Sequence, residues 1–256
     1  MSPVLQGFMF VGGGVLFAVL GVLGGRRLVH GQVAEGHNDV LVPVFLTAGV
    51  IYAVLLGFMV VAVWEAYDAA HANVAEEAAL LVPLYRQSEV LPAEQANAMR
   101  KALHEYAEQV VSGWDRFIHG RRNSEAGSAM QNLFTTFGAL KPTTKAQELT
   151  AAQFMTSLNL MLLDRNKRYM HAAESLSWIM WLAAVGGGVV TVALTFLIFM
   201  ERRWPHVLAV SVMAAMIALL LFTIAVLSRP FLGPLAIEAA PFETSLAVFN
   251  DIDHGH

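Results

Sequence analysis

The sequence predicts an all-α membrane protein with four transmembrane helices and a long helical extramembrane insert between the second and the third. Two observations lead to this fold class. Hydrophobic residues make up 56% of the 256 residues and charged residues only 14%, against roughly 25% charged in a typical soluble protein. Four stretches of at least 22 residues contain no charged side chain, namely residues 1–25, 40–64, 175–200 and 207–228. A helix needs about 20 apolar residues to cross the hydrocarbon core of a bilayer, so each stretch is long enough.

The same composition argues against several classes of function. A formal net charge of −4 offers no basic surface to nucleic acid. The chain has no cysteine, which excludes disulfides, thiolate metal sites and cysteine nucleophiles. We also find no Asp, Glu, Lys, Arg or His in the middle of a predicted span, where proton relays and ion-coupled carriers place such groups. We therefore expect no enzyme, no cofactor and no metal site, with the lipid bilayer and inorganic ions as partners.

The segment between the second and third spans predicts a helical domain and not a linker. Its 110 residues carry 11 Lys or Arg and 13 Asp or Glu and contain no Gly/Ser tract. Helix two has no breaker before Pro83, and a helix starting at Thr144 meets no proline or glycine before Gly186. We therefore predict that helices two and three both extend beyond the membrane as a stalk, the latter as one helix about 85 Å long. The domains are then 1–64 (helices one and two), 65–174 (extramembrane), 175–228 (helices three and four) and 229–256 (C-terminal tail).

The basic residues beside the spans bear on the orientation of the protein in the membrane. Positively charged short loops face the cytoplasm, and the two short loops contain Arg26, Arg27, Arg202 and Arg203. This places the extramembrane domain outside, although an equal number of basic residues beside the longer segments favours the reverse: Arg165, Lys167, Arg168 and Arg229. We expect a multi-pass protein of a bacterial plasma (inner) membrane.

Polar residues at the two ends of helix two are candidates for contact with ions. Glu65, Asp68 and Glu76 fall roughly on one helical face. In an oligomer they would form rings of carboxylates that concentrate cations; alternatively they form a solvated face, paired with Arg86, Arg165, Lys167 or Arg168. Asn38 and Asp39 either cap the start of the helix or line the other pore entrance, and Tyr52 is one of the few polar groups within the span.

Glycines within the first and third spans predict close helix packing. Gly21 and Gly25 have the spacing of a known helix-pairing motif, and Gly186, Gly187 and Gly188 are consecutive. The alternative is that glycine is simply common in membrane helices.

Three long segments and a short motif resemble a bacterial membrane family that is catalogued as a domain of unknown function and labelled bestrophin-like. The segments are GVIYAVLLGFMVVAVWEAYDAAHANVAEEAALLVPLYR, LPAEQANAMRKALHEYAEQVV and LNLMLLDRNKRYMHAA. The motif is SRPFLGPLAI, in which Arg229, Pro230, Phe231 and Gly233 resemble the family's ending. The resemblance implies an oligomeric ion channel with four spans per subunit. It also implies a pore neck of aromatic and aliphatic residues on the second span, for which Phe45 and Phe58 are the candidates.

The leading interpretation is a homo-oligomeric ion channel whose pore is lined by helix two. The carboxylates favour cation permeation, and the Arg229-Pro230-Phe231 segment would brace the end of helix four near the interface. One alternative is a bestrophin-like anion (chloride) channel, which the resemblance implies. The other is a non-conducting membrane sensor or scaffold protein.

Overall fold

The computed structural model describes residues 3–29, 36–121 and 123–255, with the backbone alone at 3–4 and 26–29. Within these ranges the chain is helical and has no strand. Arg26 and Arg27, which carry half of the cytoplasmic-loop argument, lie outside the described side chains. The α-helices are α1 (Pro3–Val29), α2 (His37–Ala79), α3 (Leu81–Gln87), α4 (Ala93–Ser112), α5 (Trp114–Ile118), α6 (Ser124–Gly138), α7 (Lys145–Ala173), α8 (Trp178–Phe196), α9 (Arg203–Leu227) and α10 (Ala240–His254), with a 3₁₀ turn at Ser88–Val90.

Four helices of the described chain, α1, α2, α8 and α9, are long and apolar enough to cross a membrane. The prediction of an all-α protein with membrane-spanning helices is therefore confirmed. The described residues form two compact units. The first comprises Met1–Ala66 and Ser175–Arg229, and the second comprises Tyr67–Glu174 and Pro230–His256.

The first unit is held together by small side chains that let helices approach closely. Its buried cluster comes from α1, α8 and α9 and comprises Ala18, Val22, Val192, Val210 and Ala214. A Cβ added to Gly21 would lie 2.0 Å from Cζ of Phe196, so only glycine allows this contact between α1 and α8. A Cβ on Gly25 would lie 3.1 Å from Cβ of the same phenylalanine. The predicted glycine pair therefore has a partner within the subunit.

The second unit has a conventional hydrophobic core built from amphipathic helices. The side chains of Leu81, Met99, Leu103, Tyr106 and Phe154 are among those fully closed to solvent. The apolar positions of α4 recur every three or four residues, as its sequence predicts, and this stripe faces the core. Thr144 caps α7 by accepting a hydrogen bond from the Gln147 amide, which confirms the expected start of that helix.

The prediction of one unbroken helix from Thr144 through the third span is wrong. Helix α7 ends at Ala173, Glu174 is extended, and α8 begins only at Trp178. The Ser177 hydroxyl oxygen accepts a hydrogen bond from the Met180 amide and so starts a new helix. Serine competes with the helical backbone in this way without proline or glycine, and the sequence argument considered only those two breakers.

The segment treated as a C-terminal tail contributes a helix to the second unit. Phe242 and Phe249 of α10 are fully buried, and the Phe249 ring stacks on Tyr85 with 4.1 Å between centroids. The Tyr85 hydroxyl also donates a 2.6 Å hydrogen bond to the Asp253 carboxylate. Burial, followed by this contact with Asp253, raises the pKa of Tyr85 well above its usual value.

Candidate functional site

Helix α2 carries a stripe of buried residues that turns one face toward the rest of the subunit. Tyr52, Leu56, Met59 and Val63 are at most 6% exposed, and their spacing alternates between four and three residues. The same spacing leads on to Ala70 and then to Val74 and Ala78, all buried. At about 100° per residue these positions fall on one side of the helix. In the described part of the chain, the opposite side of α2 carries exposed residues.

This opposite side, which we call the open face of α2, is apolar first and acidic afterwards. Its apolar members Val54, Phe58 and Val61 are 53%, 73% and 54% exposed. Continuing along the same side, Glu65, Asp68 and Glu76 are also exposed. The helical register therefore places Phe58 and the three predicted carboxylates on one continuous face.

The other candidates on α2 point elsewhere. Phe45 is half-buried and falls on the side of the buried stripe. Tyr52 is 6% exposed, and its hydroxyl donates a 2.8 Å hydrogen bond to the Ala184 carbonyl in α8. Its ring lies against Gly187, where an added Cβ would come within 2.7 Å of Cδ2. Tyr52 thus fixes α2 against α8, and the consecutive glycines of α8 provide the room for it.

The two polar candidates at the start of α2 have different surroundings. The Asn38 side chain donates to the Phe199 carbonyl (2.8 Å) and accepts from the Phe199 amide (3.0 Å). His37 reinforces this contact, because its Nε2 lies 3.1 Å from the Leu197 carbonyl. Asp39 is exposed in the first turn, where its charge complements the helix dipole. Asn38 therefore fastens α2 to the segment after α8, and Asp39 is the one open to solvent.

The carboxylates of the open face have no ion pair within 4 Å in the described part of the chain. Two of the four basic residues that could have neutralised them are engaged elsewhere: Lys167 binds Asp164 at 2.8 Å, and Arg168 binds Glu77. The hydrogen bond that Lys167 donates to Asp164, with a smaller contribution from the charge of Glu76, raises the pKa of Lys167. From the sequence, these carboxylates could have been paired with basic residues of the same chain. The described contacts contain no such ion pair.

Glu77 is fully buried, whereas the adjacent Glu76 is exposed. The Arg168 guanidinium donates to both of its carboxylate oxygens, with Nε–Oε2 at 2.7 Å and Nη2–Oε1 at 3.0 Å. Tyr106 donates a third hydrogen bond to Oε1. Burial opposes the charge of Arg168, yet Glu77 raises its pKa. From the sequence, Arg168 is a possible partner of the exposed carboxylates, whereas the structure pairs it with Glu77. Position 77 lies about 100° around the helix from position 76 and faces inward.

Aromatic rings enclose this ion pair within the second unit. The Arg168 guanidinium carbon lies 4.7 Å from the Phe117 ring centroid and 5.3 Å from that of Trp114. Phe242 of α10 contributes a further ring at 5.8 Å. Such contacts with ring faces stabilise a cation that has left water.

The Arg229–Gly233 motif ends in the same aromatic cluster. Phe231 is 3% exposed and packs edge-on against Phe117, with 5.1 Å between centroids. The Pro230 carbonyl accepts a hydrogen bond from the Ile237 amide, which closes a turn where Gly233 has φ of +95°. Arg229 is exposed. The motif therefore shapes the turn that delivers Phe231 to the core of the second unit.

The described residues contain no group of three or more His, Asp or Glu that could hold a metal ion.

Comparison with known proteins identifies the family. No curated protein sequence matches the chain. The family model described as the Bestrophin-like domain matches residues 12–242. Since this match covers most of the sequence, the protein belongs to the bestrophin-like family, which is a family of membrane channels.

Proposed function

We propose that the protein is a homo-oligomeric ion channel of a bacterial inner membrane, with a pore lined by the open face of α2 and a preference for cations. The observation that carries this proposal is the open face itself. One side of a 43-residue helix is exposed in the described part of the chain, and it changes from apolar to acidic along its length. Several subunits around an axis would bring these faces together as the wall of a pore.

The order of side chains on this face suits conduction. Phe58 would form an apolar ring, and narrow apolar rings can gate a pore by excluding water. Glu65 lies seven residues further on, a rise of about 10 Å, so the first ring of carboxylates would follow two turns later. Rings of negative charge raise the local concentration of cations and repel anions.

The cation preference is supported by the state of the carboxylates. No described basic side chain lies within 4 Å of Glu65, Asp68 or Glu76, so each subunit would bring its charge to the axis largely uncompensated. Lys167 lies close enough to Glu76 for their charges to interact, so the charge of Glu76 is partly offset. Glu65 and Asp68 are therefore the two residues to which we assign the preference.

Ion flux through the purified protein in liposomes tests the proposal. Separate gradients of potassium, calcium and chloride are set, and the decay of each is followed. We expect the cation gradients to discharge faster than the chloride gradient. Selective chloride flux would instead support the anion-channel alternative. Absence of any flux across a range of pH and membrane potential would contradict conduction and favour a sensor or scaffold.

A further inference from the structure

The second unit contains a polar cavity that plays no part in the proposed pore. Its volume is about 580 Å³, and its walls come from the first turns of α6 and the last turns of α7. Arg165, Asn166 and Tyr169 line it from α7, and Gly127, Ser128 and Gln131 from α6. A volume of roughly 300–1,000 Å³ is typical of sites for small organic ligands.

The charge of this cavity has one sign. Among the described residues that line it, Arg165 is the only one with an ionised side chain, and none is a carboxylate. Glu125, in the same turn of α6, is bound by Arg116 at 2.9 Å, and this hydrogen bond lowers the pKa of Glu125. The N-terminal end of α6 also lies at the cavity wall and adds positive potential. The electrostatics therefore favour an anion.

The Arg165 side chain is positioned but not neutralised. Its guanidinium lies over the Tyr169 ring, 5.1 Å from the centroid, which orients it beside the cavity. Its Nε is buried without a hydrogen-bond partner, and no described carboxylate lies within 4 Å of it. Arg168, three residues later, binds Glu77 through two hydrogen bonds. A buried donor without a partner is rare in native proteins, and the guanidinium of Arg165, unlike that of Arg168, is not satisfied by a carboxylate in the described part of the chain.

Gly127 keeps the cavity open next to this guanidinium. A Cβ added there would lie 3.4 Å from Nη2 of Arg165, which is ordinary van der Waals contact. A longer side chain at this position would extend over the guanidinium. Gly127 is in a regular helix, where glycine is otherwise unfavourable by about 1 kcal/mol relative to alanine.

We propose that this cavity is a binding site for a small organic phosphate. Arg165 binds the phosphate through charge-assisted hydrogen bonds, and the hydroxyl and amide groups of Ser128, Gln131 and Asn166 bind a polar body. The volume exceeds what inorganic phosphate alone would fill, which favours a ligand of mononucleotide or sugar-phosphate size. The phosphate belongs either to a soluble metabolite or to a lipid headgroup, since both present the same oxyanion.

Calorimetric titration of the full chain in phosphatidylcholine nanodiscs tests the site. The soluble probes are AMP and glucose 6-phosphate, with inorganic phosphate for comparison. A second arm measures retention of phosphatidylglycerol during purification from mixed lipid. We expect a Kd of about 1 mM or tighter for an organic phosphate, or selective retention of the anionic lipid; the arm that responds identifies the source.

Three variants distinguish binding in the cavity from nonspecific attraction of an anion to positive charge. Arg165→Gln should weaken binding by about tenfold or more, because it removes a charged donor, and Gly127→Met should do so by filling the space. Lys101→Gln removes the same charge from an exposed position of α4 and should leave the affinity within about twofold. Binding that is equal in all three variants overturns the proposal. So does the absence of binding in both arms at ligand concentrations of about 10 mM, well above the expected Kd.

Discussion

The ring of Tyr52 in α2 lies against Gly187 of α8, so that any larger residue at position 187 would force the ring to move. A Cβ on Gly187 would approach Tyr52 Cδ2 to 2.7 Å, and one on Gly188 would approach Tyr52 Oη to 2.7 Å. The neighbouring Gly186 is different, since the nearest atom to its added Cβ is 4.0 Å away.

This contact predicts different effects for three equivalent substitutions. Gly187→Ala and Gly188→Ala should each destabilise the protein by about 1–3 kcal/mol, because they force Tyr52 away from α8. Gly186→Ala should leave stability unchanged or slightly raised. Thermal unfolding in detergent checks the order. Equal melting temperatures for all three variants would show that the ring does not depend on these glycines.

The buried ion pair of Glu77 and Arg168 predicts strong coupling between two substitutions. Glu77→Gln alone should cost about 3–5 kcal/mol, because it leaves the guanidinium buried without its counter-charge. Glu77→Leu combined with Arg168→Met should cost less than the sum of the single changes. Denaturant unfolding of the wild type, of Glu77→Leu, of Arg168→Met and of the double variant gives the coupling energy.

Glu76→Gln is the matched control for this cycle, since Glu76 precedes Glu77 and is exposed. Its effect should stay within about 0.5 kcal/mol. Additive losses in the cycle, or an equal loss at position 76, would contradict the stabilising role of the pair.

Neutral amides at the carboxylates of the open face test the selectivity mechanism. Glu65→Gln with Asp68→Asn should shift the reversal potential toward lower cation preference, because two rings of negative charge disappear. The control removes two exposed carboxylates from α4 and α10, Glu94→Gln with Glu243→Gln. A reversal potential that does not distinguish the two double variants rules out the assigned role of Glu65 and Asp68.

The two phenylalanines of α2 should behave differently in flux measurements. Phe58 is 73% exposed on the open face, so Phe58→Ala would widen an apolar constriction and raise ion flux. Phe45 lies on the side of the buried stripe, so Phe45→Ala should affect folding more than conduction. A higher flux in the Phe45 variant than in the Phe58 variant would place the neck at the wrong residue.

Two tyrosines of the second unit predict a loss of stability at high pH. Burial, together with Glu77, raises the pKa of Tyr106 above its usual 10.0, and burial with Asp253 raises that of Tyr85. The stabilisation is complete below pH 10, where folded and unfolded chains both keep these protons. It is lost as the pH rises further, because the unfolded chain releases them first.

Unfolding free energies at about pH 8 and about pH 11 check this dependence. Tyr85→Phe should reduce the loss of stability between the two pH values, although it removes the hydrogen bond to Asp253 at both. An identical loss in the wild type and the variant would mean that Tyr85 does not contribute to it.

The sequence was sufficient for features that follow from composition and local pattern. Uncharged length predicted the membrane-spanning helices, and apolar spacing predicted the buried face of α4. It was insufficient where a shift of one residue along a helix decides whether a side chain is exposed or buried. Glu76 and Glu77 differ by about 100° around α2, so one stays exposed and the other is buried with Arg168. Likewise, nothing local to Tyr52 indicates that Gly187 and Gly188, more than 130 residues away, make room for its ring.

The position of Phe242 in the aromatic enclosure of Arg168 has a consequence for biosynthesis. Helix α10 follows all four membrane-length helices in chain order, so the ribosome must deliver them before the second unit can close. Until then Arg168 and Glu77 lack one wall, and the cavities left by Phe242 and Phe249 are each worth about 3–5 kcal/mol. The core of the second unit is therefore complete only once α10 has been made.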